Sequence, residues 1–261
     1  MGASVMKTFS SGRIKKLMLE LNRLYNMDCM EGMKQFPDRY FDLAVVDPPY
    51  GVGSITYMPH RREDAICGFI DTYKIVIATL DVNNRPKLKT NIAHSQCNSK
   101  TLMKFGDENV SPPPEYFKEL FRVSKKQIIF GGNYFLLPPS RGFIVWDKGR
   151  SEKFSMAMAE FIWTSFNTNS KIWKGQSELP GSSCDPRFHP TQKPVALYNW
   201  ILKHYAKPGD KILDTHAGSA SSLIACHKAG HDFIGFELDP DYCRMATERL
   251  EREKKQLNLF Q

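Results

Sequence analysis

The sequence lacks paired cysteines. Its six cysteines are scattered along a chain of 261 residues, and no two of them stand in the C-x-x-C spacing of zinc sites and redox motifs. We therefore interpret them as reduced thiols, as is usual inside the cell. This argues against a disulfide framework and against a structural metal site.

Long apolar segments are also missing. No run approaches the roughly 18 residues of a membrane-spanning helix, and the first residues show no signal-peptide core with a cleavage site. Position 6 holds Met, where a myristoylation signal requires Ser or Thr. We therefore expect a cytoplasmic protein with no membrane association.

Glycine is scarce in the one turn where a dinucleotide would need it. The segment Asp214–Ser219 follows a predicted strand, Lys211–Asp214, and holds Gly218 as its single glycine. The G-x-G-x-x-G fingerprint uses three glycines so that the backbone can approach a pyrophosphate closely. NAD is therefore disfavoured as a ligand of this turn. A nicotinamide dehydrogenase is the rival enzyme class, and it would be recognised by binding of NADH.

What is present describes an ordinary globular chain with a basic balance. Hydrophobic residues make up 41%, aromatic residues 12% and charged residues 25% of the sequence, which is typical of a folded domain. The net charge of +8 and the pI near 9.1 favour a polyanionic partner such as nucleic acid. The length fits one large α/β domain with an insertion, or two small domains.

The most distinctive stretch is Asp47-Pro48-Pro49-Tyr50, at the end of the apolar run Phe41–Val46. The run predicts a buried parallel strand, whose carboxyl end is where open α/β sheets bind ligands. Because proline has no N–H, the carbonyls here have no competing donors nearby. A carboxylate, bare carbonyls and an aromatic ring suit a neutral amino group on a flat ring. The alternative is a plain strand that ends in a turn.

The segments around this motif predict the sheet edge and an insertion. A strand is predicted over Leu21–Asn26 and leads to Asp28. We expect Asp28 and Asp47 at the ends of neighbouring strands. Residues 52–110 are polar and basic, which predicts an inserted region that either contacts phosphates or is merely solvated.

The middle of the chain predicts a further strand, a loop and an anion site. Glu160–Phe166 is predicted as a strand near the edge of the sheet, and residues 167–187 as a polar loop. His189–Pro194 is predicted to open a helix that Thr191 caps. Free N–H groups at that end, with Lys193 beside them, would make a carboxylate-binding site.

The last part of the chain predicts a βαβ unit. The strand Lys211–Asp214, a small-residue turn and a helix precede a second strand, Phe233–Phe236, which ends at Glu237. A carboxylate in that position can accept hydrogen bonds from both hydroxyls of a ribose. The pattern therefore predicts a nucleoside site.

These motifs carry a family resemblance. Asp47–Tyr50, His189–Pro194, Asp214–Ser219 and Glu237, in this order, resemble the β-class S-adenosylmethionine-dependent DNA amino-methyltransferases. The resemblance is strongest to the adenine-specific enzymes of bacteriophages and prophages, and it covers residues 21–250 apart from 51–108. The sequence departs from the family pattern in the turn, where Thr215-His216 replaces Pro-Phe and Ala220 replaces Gly.

The resemblance implies a fold and a division of the chain. The fold would be α/β, a single doubly wound and mostly parallel Rossmann-like sheet in circularly permuted order, with an inserted DNA-contacting region. One methyltransferase domain would span residues 1–261. Its catalytic half would cover about 17–166, the insertion about 52–110 and the cofactor-binding half about 189–256.

The resemblance also implies residue roles. Asp47 and the Pro48 carbonyl would accept the amino protons of a flipped base, Pro49 would complete the motif and Tyr50 would stack on the base. In the cofactor site, Asp28 would meet the adenine, Glu237 the ribose, Thr191 and Lys193 the methionine carboxylate, and the 214–219 turn would lie under the methionine. The implied cofactor-binding positions are Asp28, Asp47, Thr191, Lys193, Asp214, Gly218, Ser219 and Glu237.

The implied reaction is methyl transfer from S-adenosylmethionine to the N6 amino group of adenine in double-stranded DNA, by base flipping and direct in-line transfer. N4-cytosine methylation and a catalytically silent DNA-binding relative stay open as alternatives. RNA or protein-glutamine methylation fits less well, because those relatives usually carry Asn at the first motif position. A homodimer and a cognate restriction endonuclease are the protein partners that the resemblance allows, in a bacterial cytoplasm.

Overall fold

The computed structural model describes residues 19–51, 111–151, 157–175 and 188–256 with their side chains. It also describes the backbone of residues 257 and 258 and of three strands between positions 65 and 87. The chain divides into two compact units. One comprises residues 1–48 and 113–261, and the other residues 49–112.

Strands and helices make up the described part of the first unit. Its strands are β1 (Arg23–Asn26), β2 (Phe41–Val46), β6 (Ser124–Phe130), β7 (Phe143–Asp147), β8 (Ala159–Thr164), β9 (Lys171–Lys174), β10 (Lys211–Asp214) and β11 (Asp232–Glu237). Its helices are α1 (Cys29–Met33), α2 (Pro114–Val123), α3 (Val195–Tyr205), α4 (Ser221–Ala229) and α5 (Pro240–Asn258). A short 3-10 turn, Gly132–Tyr134, follows β6.

The strands of this unit form one eight-stranded sheet in the order β1-β11-β10-β2-β6-β8-β7-β9. The five strands from β1 to β6 are mutually parallel, β8 runs antiparallel to both of its neighbours, and β9 pairs parallel with β7. The carboxyl ends of β1, β11, β10 and β2 therefore share one edge of the sheet.

Helices cover both faces of the sheet, because alternate residues of each central strand point to opposite sides. Leu43 and Val45 of β2 pack in a core with α3, α4 and α5, whereas Ala44 and Val46 pack in a second core with α1 and α2. The prediction of a doubly wound, mostly parallel α/β sheet is confirmed.

Three predictions about strand placement are wrong. Strands β1 and β2 are not neighbours, since β11 and β10 lie between them. Strand β8 lies inside the sheet between β6 and β7, not near its edge. Residues 171–174, predicted as loop, form the edge strand β9. Its two terminal lysines and its alternation of half-buried and exposed residues fit a strand that contacts one neighbour only.

The second unit contains a small antiparallel sheet. Its strands are β3 (Ala65–Ile70), β4 (Lys74–Leu80) and β5 (Pro86–Lys87), in the order β3-β4-β5. The side chains of the predicted insertion, and with them its predicted phosphate contacts, lie outside the described residues.

Among the helices in the described ranges, none is both long and apolar enough to cross a membrane.

Candidate active site

The centre of the site is a buried ion pair between Asp47 and Lys193. Asp47 follows β2 at the carboxyl edge of the sheet, and the Lys193 ammonium donates a short hydrogen bond to Asp47 Oδ2. The two side chains are 14% and 7% exposed, respectively. The ammonium also lies 4.9 Å from the centre of the Phe130 ring. Lys193 is thus fixed against the first residue of the Asp47–Tyr50 motif.

Glu160 is a second anionic partner of the same lysine. Its Oε1 lies 3.6 Å from Lys193 Nζ, while its Oε2 lies 2.9 Å from Lys148 Nζ. Glu160 and Lys148 are each 14% exposed. Cations and anions therefore alternate along this group, in the order Lys148, Glu160, Lys193 and Asp47.

Burial by itself would lower the pKa of Lys193, because it disfavours the charged form. The attraction of Asp47 and Glu160 outweighs that effect, so the pKa of Lys193 is raised above its ordinary value. Lys193 therefore stays protonated at neutral pH and acts as a fixed cation. It is not a proton acceptor.

Asp214 ends β10 and is almost fully buried. Its Oδ1 accepts a 3.0 Å hydrogen bond from the His216 amide, and its Oδ2 accepts a short bond from the Ser222 hydroxyl. Burial nevertheless raises its pKa to about 7, and the negative charges of Asp47 and Glu237 act in the same direction. Asp47, the predicted catalytic carboxylate, and Glu237, the predicted ribose carboxylate, thus both disfavour the charged form of the buried Asp214.

Glu237 ends β11 and is held by backbone amides. Its Oε2 accepts a 2.8 Å hydrogen bond from the Gly218 amide, and its Oε1 accepts a 3.0 Å bond from the Asp239 amide. These bonds fix the carboxylate against the turn that follows β10. The two parts of the predicted nucleoside motif, the turn after β10 and the end of β11, are therefore joined by a hydrogen bond.

Asp28 caps helix α1. Its Oδ1 accepts hydrogen bonds of 2.7 Å from the Met30 amide and 3.3 Å from the Glu31 amide. Because β1 pairs with β11, Asp28 lies near the end of the strand next to that of Glu237. Burial, then Asp28, and with a smaller effect Glu237, raise the pKa of Cys29 to about 12, so this thiol stays protonated.

The His189–Pro194 segment contacts the Gly218 turn but does not begin the helix. Helix α3 starts at Val195 and Pro194 occupies its N-cap position without a side-chain cap. The predicted capping by Thr191 is therefore wrong. A residue that precedes proline avoids the helical region, so Lys193 cannot continue a helix into Pro194. The Thr191 amide and hydroxyl instead lie 3.3 and 3.2 Å from His189 Nδ1.

Gly218 is required where it stands. Its φ of +50° is in the left-handed region, and an added Cβ would lie 3.2 Å from Cε1 of the His189 ring. The His189 ring also packs edge-to-face on Tyr242, with ring centres 4.4 Å apart. The segment that contains Lys193 and the turn that contains Gly218 are therefore in close contact.

Ala220 and Ser219 complete this turn. Ala220 has a φ of 60° as the N-cap residue of α4, a left-handed conformation that is less favourable for Ala than for Gly. The Ser219 carbonyl accepts a 2.6 Å hydrogen bond from Arg249 of α5, whose side chain is 2% exposed. Ser219 thus supports the turn through its backbone.

His216 belongs to a buried hydrogen-bond group. Its Nδ1 lies 2.9 Å from the Thr215 hydroxyl, which lies 2.6 Å from the Tyr116 hydroxyl. Burial lowers the pKa of His216 to about 4, with a small opposing effect from Asp28. His216 is therefore neutral at physiological pH, beside the strand end that carries Asp214.

Pro49 and Tyr50 belong to the second unit and Pro48 to the first. Pro48 is buried and continues directly from Asp47. The stacking role of Tyr50 stays a prediction.

Sequence reasoning missed three side chains of this site: Glu160, Lys148 and Arg249. Glu160 lies in a predicted strand, and an acid within an otherwise apolar strand is the signal that could have identified it. Among the described residues, no cluster of His, Cys, Asp and Glu could hold a metal ion.

Part of the chain matches the model of a known protein family. Residues 146–248 match the model of the family described as DNA methylase, of the N6/N4 methyltransferase type. The resemblance stated from the motifs is thus confirmed over these residues, which are similar to the DNA methylase family.

Named relatives and solved structures are distant. The DNA adenine methyltransferase YhdJ of Escherichia coli strain K12 is 24% identical over 264 residues, which cover 89% of this chain and 83% of that protein. The cytosine-N4-specific PvuII DNA methyltransferase has a TM-score of 0.51 at 12% identity, with 90% of each chain covered. The M1.HpyAVI–SAM complex has a TM-score of 0.48 at 18% identity, covering 87% of this chain and 98% of that one. The PvuII likeness supports the fold.

Proposed function

We propose that this protein transfers a methyl group from S-adenosylmethionine to the N6 amino group of adenine in DNA. The observation that carries the proposal is the shared sheet edge of Asp47 and the Asp214–Glu237 nucleoside motif. Asp47 and Glu237 both raise the pKa of Asp214. The carboxylate proposed to accept the amine and the carboxylate proposed to accept the ribose hydroxyls therefore act on the same buried acid.

The residues present fit S-adenosylmethionine. Glu237 ends β11 and Asp28 follows the adjacent strand β1, and both offer carboxylate acceptors for an adenosine, as a nucleoside site requires. The acids along this edge also favour a ligand with positive charge, since burial, with the negative charges of Asp47 and Glu237 acting in the same direction, raises the pKa of Asp214 to about 7. When bound, this cofactor would supply an electrophilic methyl group on a sulfonium.

Asp47 would activate the target amine by accepting hydrogen bonds. The exocyclic nitrogen of adenine is a weak nucleophile because its lone pair is delocalised into the ring. Acceptors on its N–H groups favour a pyramidal nitrogen and stabilise the positive charge that develops there. Asp47 and the Pro48 carbonyl are the acceptors, and one such preorganised contact is worth about 3–4 kcal/mol.

Holding the two reactants in line would contribute more than the acceptors do. Correct positioning of reacting groups can lower a barrier by about 7–11 kcal/mol. The proton lost from the methylated nitrogen passes to Asp47 and from there to solvent. Lys193 takes no proton, because its raised pKa keeps it charged.

The target base has to leave the duplex, at a cost of a few kcal/mol. Stacking on Tyr50 would recover about 1–3 kcal/mol of that cost. Adenine is favoured over cytosine by Asp at the first motif position and by the relative YhdJ, which is named a DNA adenine methyltransferase. N4-cytosine methylation is the second candidate, because the same acceptors suit its amino group.

The test is incubation of the purified protein with methyl-labelled S-adenosylmethionine and mixed-sequence double-stranded DNA, followed by nucleoside analysis. The proposal predicts labelled N6-methyl-2′-deoxyadenosine from the DNA. Labelled N4-methylcytosine would contradict the choice of adenine, and binding of the cofactor without any DNA label would contradict the transfer reaction.

A further inference from the structure

Glu160 stands in none of the motifs that define the site, yet it shares the ammonium of Lys193 with Asp47. We propose that Glu160 is a positioning residue for methyl transfer, which acts on Asp47 through Lys193. The inference rests on the proposed function and extends it to a residue at the start of β8.

The geometry fixes Lys193 from several sides. Its ammonium contacts Asp47 Oδ2, approaches Glu160 Oε1 at 3.6 Å and lies over the Phe130 ring at 4.9 Å. A lysine side chain is flexible when exposed, but this one is only 7% exposed. Glu160 is itself anchored by Lys148 at 2.9 Å. The position of the ammonium is therefore determined by the protein.

The position of Lys193 in turn determines the orientation of Asp47. Because the ammonium bonds Oδ2, it sets the plane of the carboxylate that has to meet the substrate amine. An ammonium without Glu160 would be held by fewer anionic contacts and could shift along Asp47. Misplacing a reacting group by about 1 Å can cost about 100-fold in rate.

Glu160 also balances the charge at Asp47. The Lys193 ammonium contacts both carboxylates, so Glu160 places a second negative charge near Asp47 that opposes the attraction of the lysine. The charged and titratable groups around Asp47 are Lys193, Glu160, Lys148, Asp214, Tyr116 and Tyr198. Both tyrosines are buried with a strongly raised pKa and stay neutral.

The test is the pH profile of the single-turnover methylation rate for Glu160→Gln, Glu160→Asp and Lys193→Met. Glu160→Gln removes a negative charge, so the acid limb of the profile, where the rate rises with pH, should move to lower pH. The maximal rate should fall about 10- to 100-fold. Lys193→Met removes the cation, so the acid limb should move to higher pH. Glu160→Asp keeps the charge and should keep the limb of the wild type. If Glu160 and Lys193 were needed only for folding, Glu160→Gln and Lys193→Met would not move the acid limb in opposite directions.

A second measurement needs no methylation. Titration of the Lys193 side chain by NMR, with ¹³C- and ¹⁵N-labelled lysine, should show a lower pKa in Glu160→Gln than in the wild type. An unchanged lysine pKa together with an unchanged acid limb would overturn the inference. A shifted lysine pKa in a protein that labels no DNA would leave the link between Glu160 and Lys193 standing and would reject the proposed function instead.

Discussion

The amide of Gly218 donates a 2.8 Å hydrogen bond to Oε2 of Glu237, and this bond joins the turn after β10 to the end of β11. The same carboxylate accepts the Asp239 amide through Oε1 at 3.0 Å. Two backbone donors therefore hold Glu237 in place before any ligand arrives. A carboxylate held in this way would be preorganised for the ribose hydroxyls that we propose it binds.

Glu237→Gln should weaken cofactor binding while the fold is kept. The amide preserves one backbone hydrogen bond but loses the charge, and a hydrogen bond to a charged group is worth about 1.5–3 kcal/mol. The dissociation constant for S-adenosylmethionine, measured by calorimetry, should rise about 10- to 100-fold. Glu248→Gln on the exposed side of α5 is the matched control and should bind as the wild type does. Equal affinities for the two variants would refute the role of Glu237.

Asp28 has a structural role and a proposed binding role that two variants can separate. Asn is as good an N-cap residue as Asp, so Asp28→Asn should keep the melting temperature and yet bind S-adenosylmethionine more weakly. Asp28→Ala removes the cap as well, at about 1 kcal/mol of stability. Calorimetric binding and thermal unfolding of both variants are the measurements. A wild-type affinity in Asp28→Asn would leave Asp28 as a helix cap only.

His216 should make the protein less stable in acid. Its pKa in the folded state is lowered to about 4 from 6.5, so the unfolded state binds more protons between these values. The contribution of the neutral imidazole is fully present above pH 6.5 and is lost as the pH falls toward 4. Asp214 has the opposite sign, because its raised pKa favours the folded state at low pH and that contribution is lost as the pH rises through about 7.

His216→Phe tests this directly. Denaturant unfolding at pH 7 and pH 5 should show a smaller loss of stability on acidification in the variant than in the wild type. The control is His204→Phe, in the last turn of α3 and away from the sheet edge, which should not change the pH dependence in this way. An identical pH dependence in wild type and His216→Phe would contradict the burial of a neutral His216.

The sequence allowed the class of fold and the strands that lead to the candidate site to be predicted, because both depend on local patterns. The run Phe41–Val46 forms β2 at the predicted residues, and the pattern from Lys211 to Glu237 forms the predicted βαβ unit. These segments combine apolar strands with a small-residue turn, and their periodicity is unambiguous.

Strand order and side-chain partners could not be predicted in the same way, because they depend on contacts between distant segments. Asp28 and Asp47 were expected on neighbouring strands, but β11 and β10, more than 150 residues further along the chain, lie between them. Lys193 was expected beside a free helix end. It pairs with Asp47 instead, 146 residues away in sequence. Nothing in the local pattern of either residue encodes that pair.

The central claim is that Asp47 accepts the hydrogen bonds of the substrate amine. Its most direct test is the single-turnover rate of methyl transfer to DNA by Asp47→Asn, with Asp42→Asn, in the strand that precedes Asp47, as the matched control. Because Lys193 would attract the Asn oxygen, the amide nitrogen would face the substrate amine as a second donor. The account predicts a loss of at least about 100- to 1,000-fold in rate, with near-wild-type affinity for S-adenosylmethionine and wild-type activity in Asp42→Asn. A rate for Asp47→Asn within about threefold of the wild-type rate would contradict it.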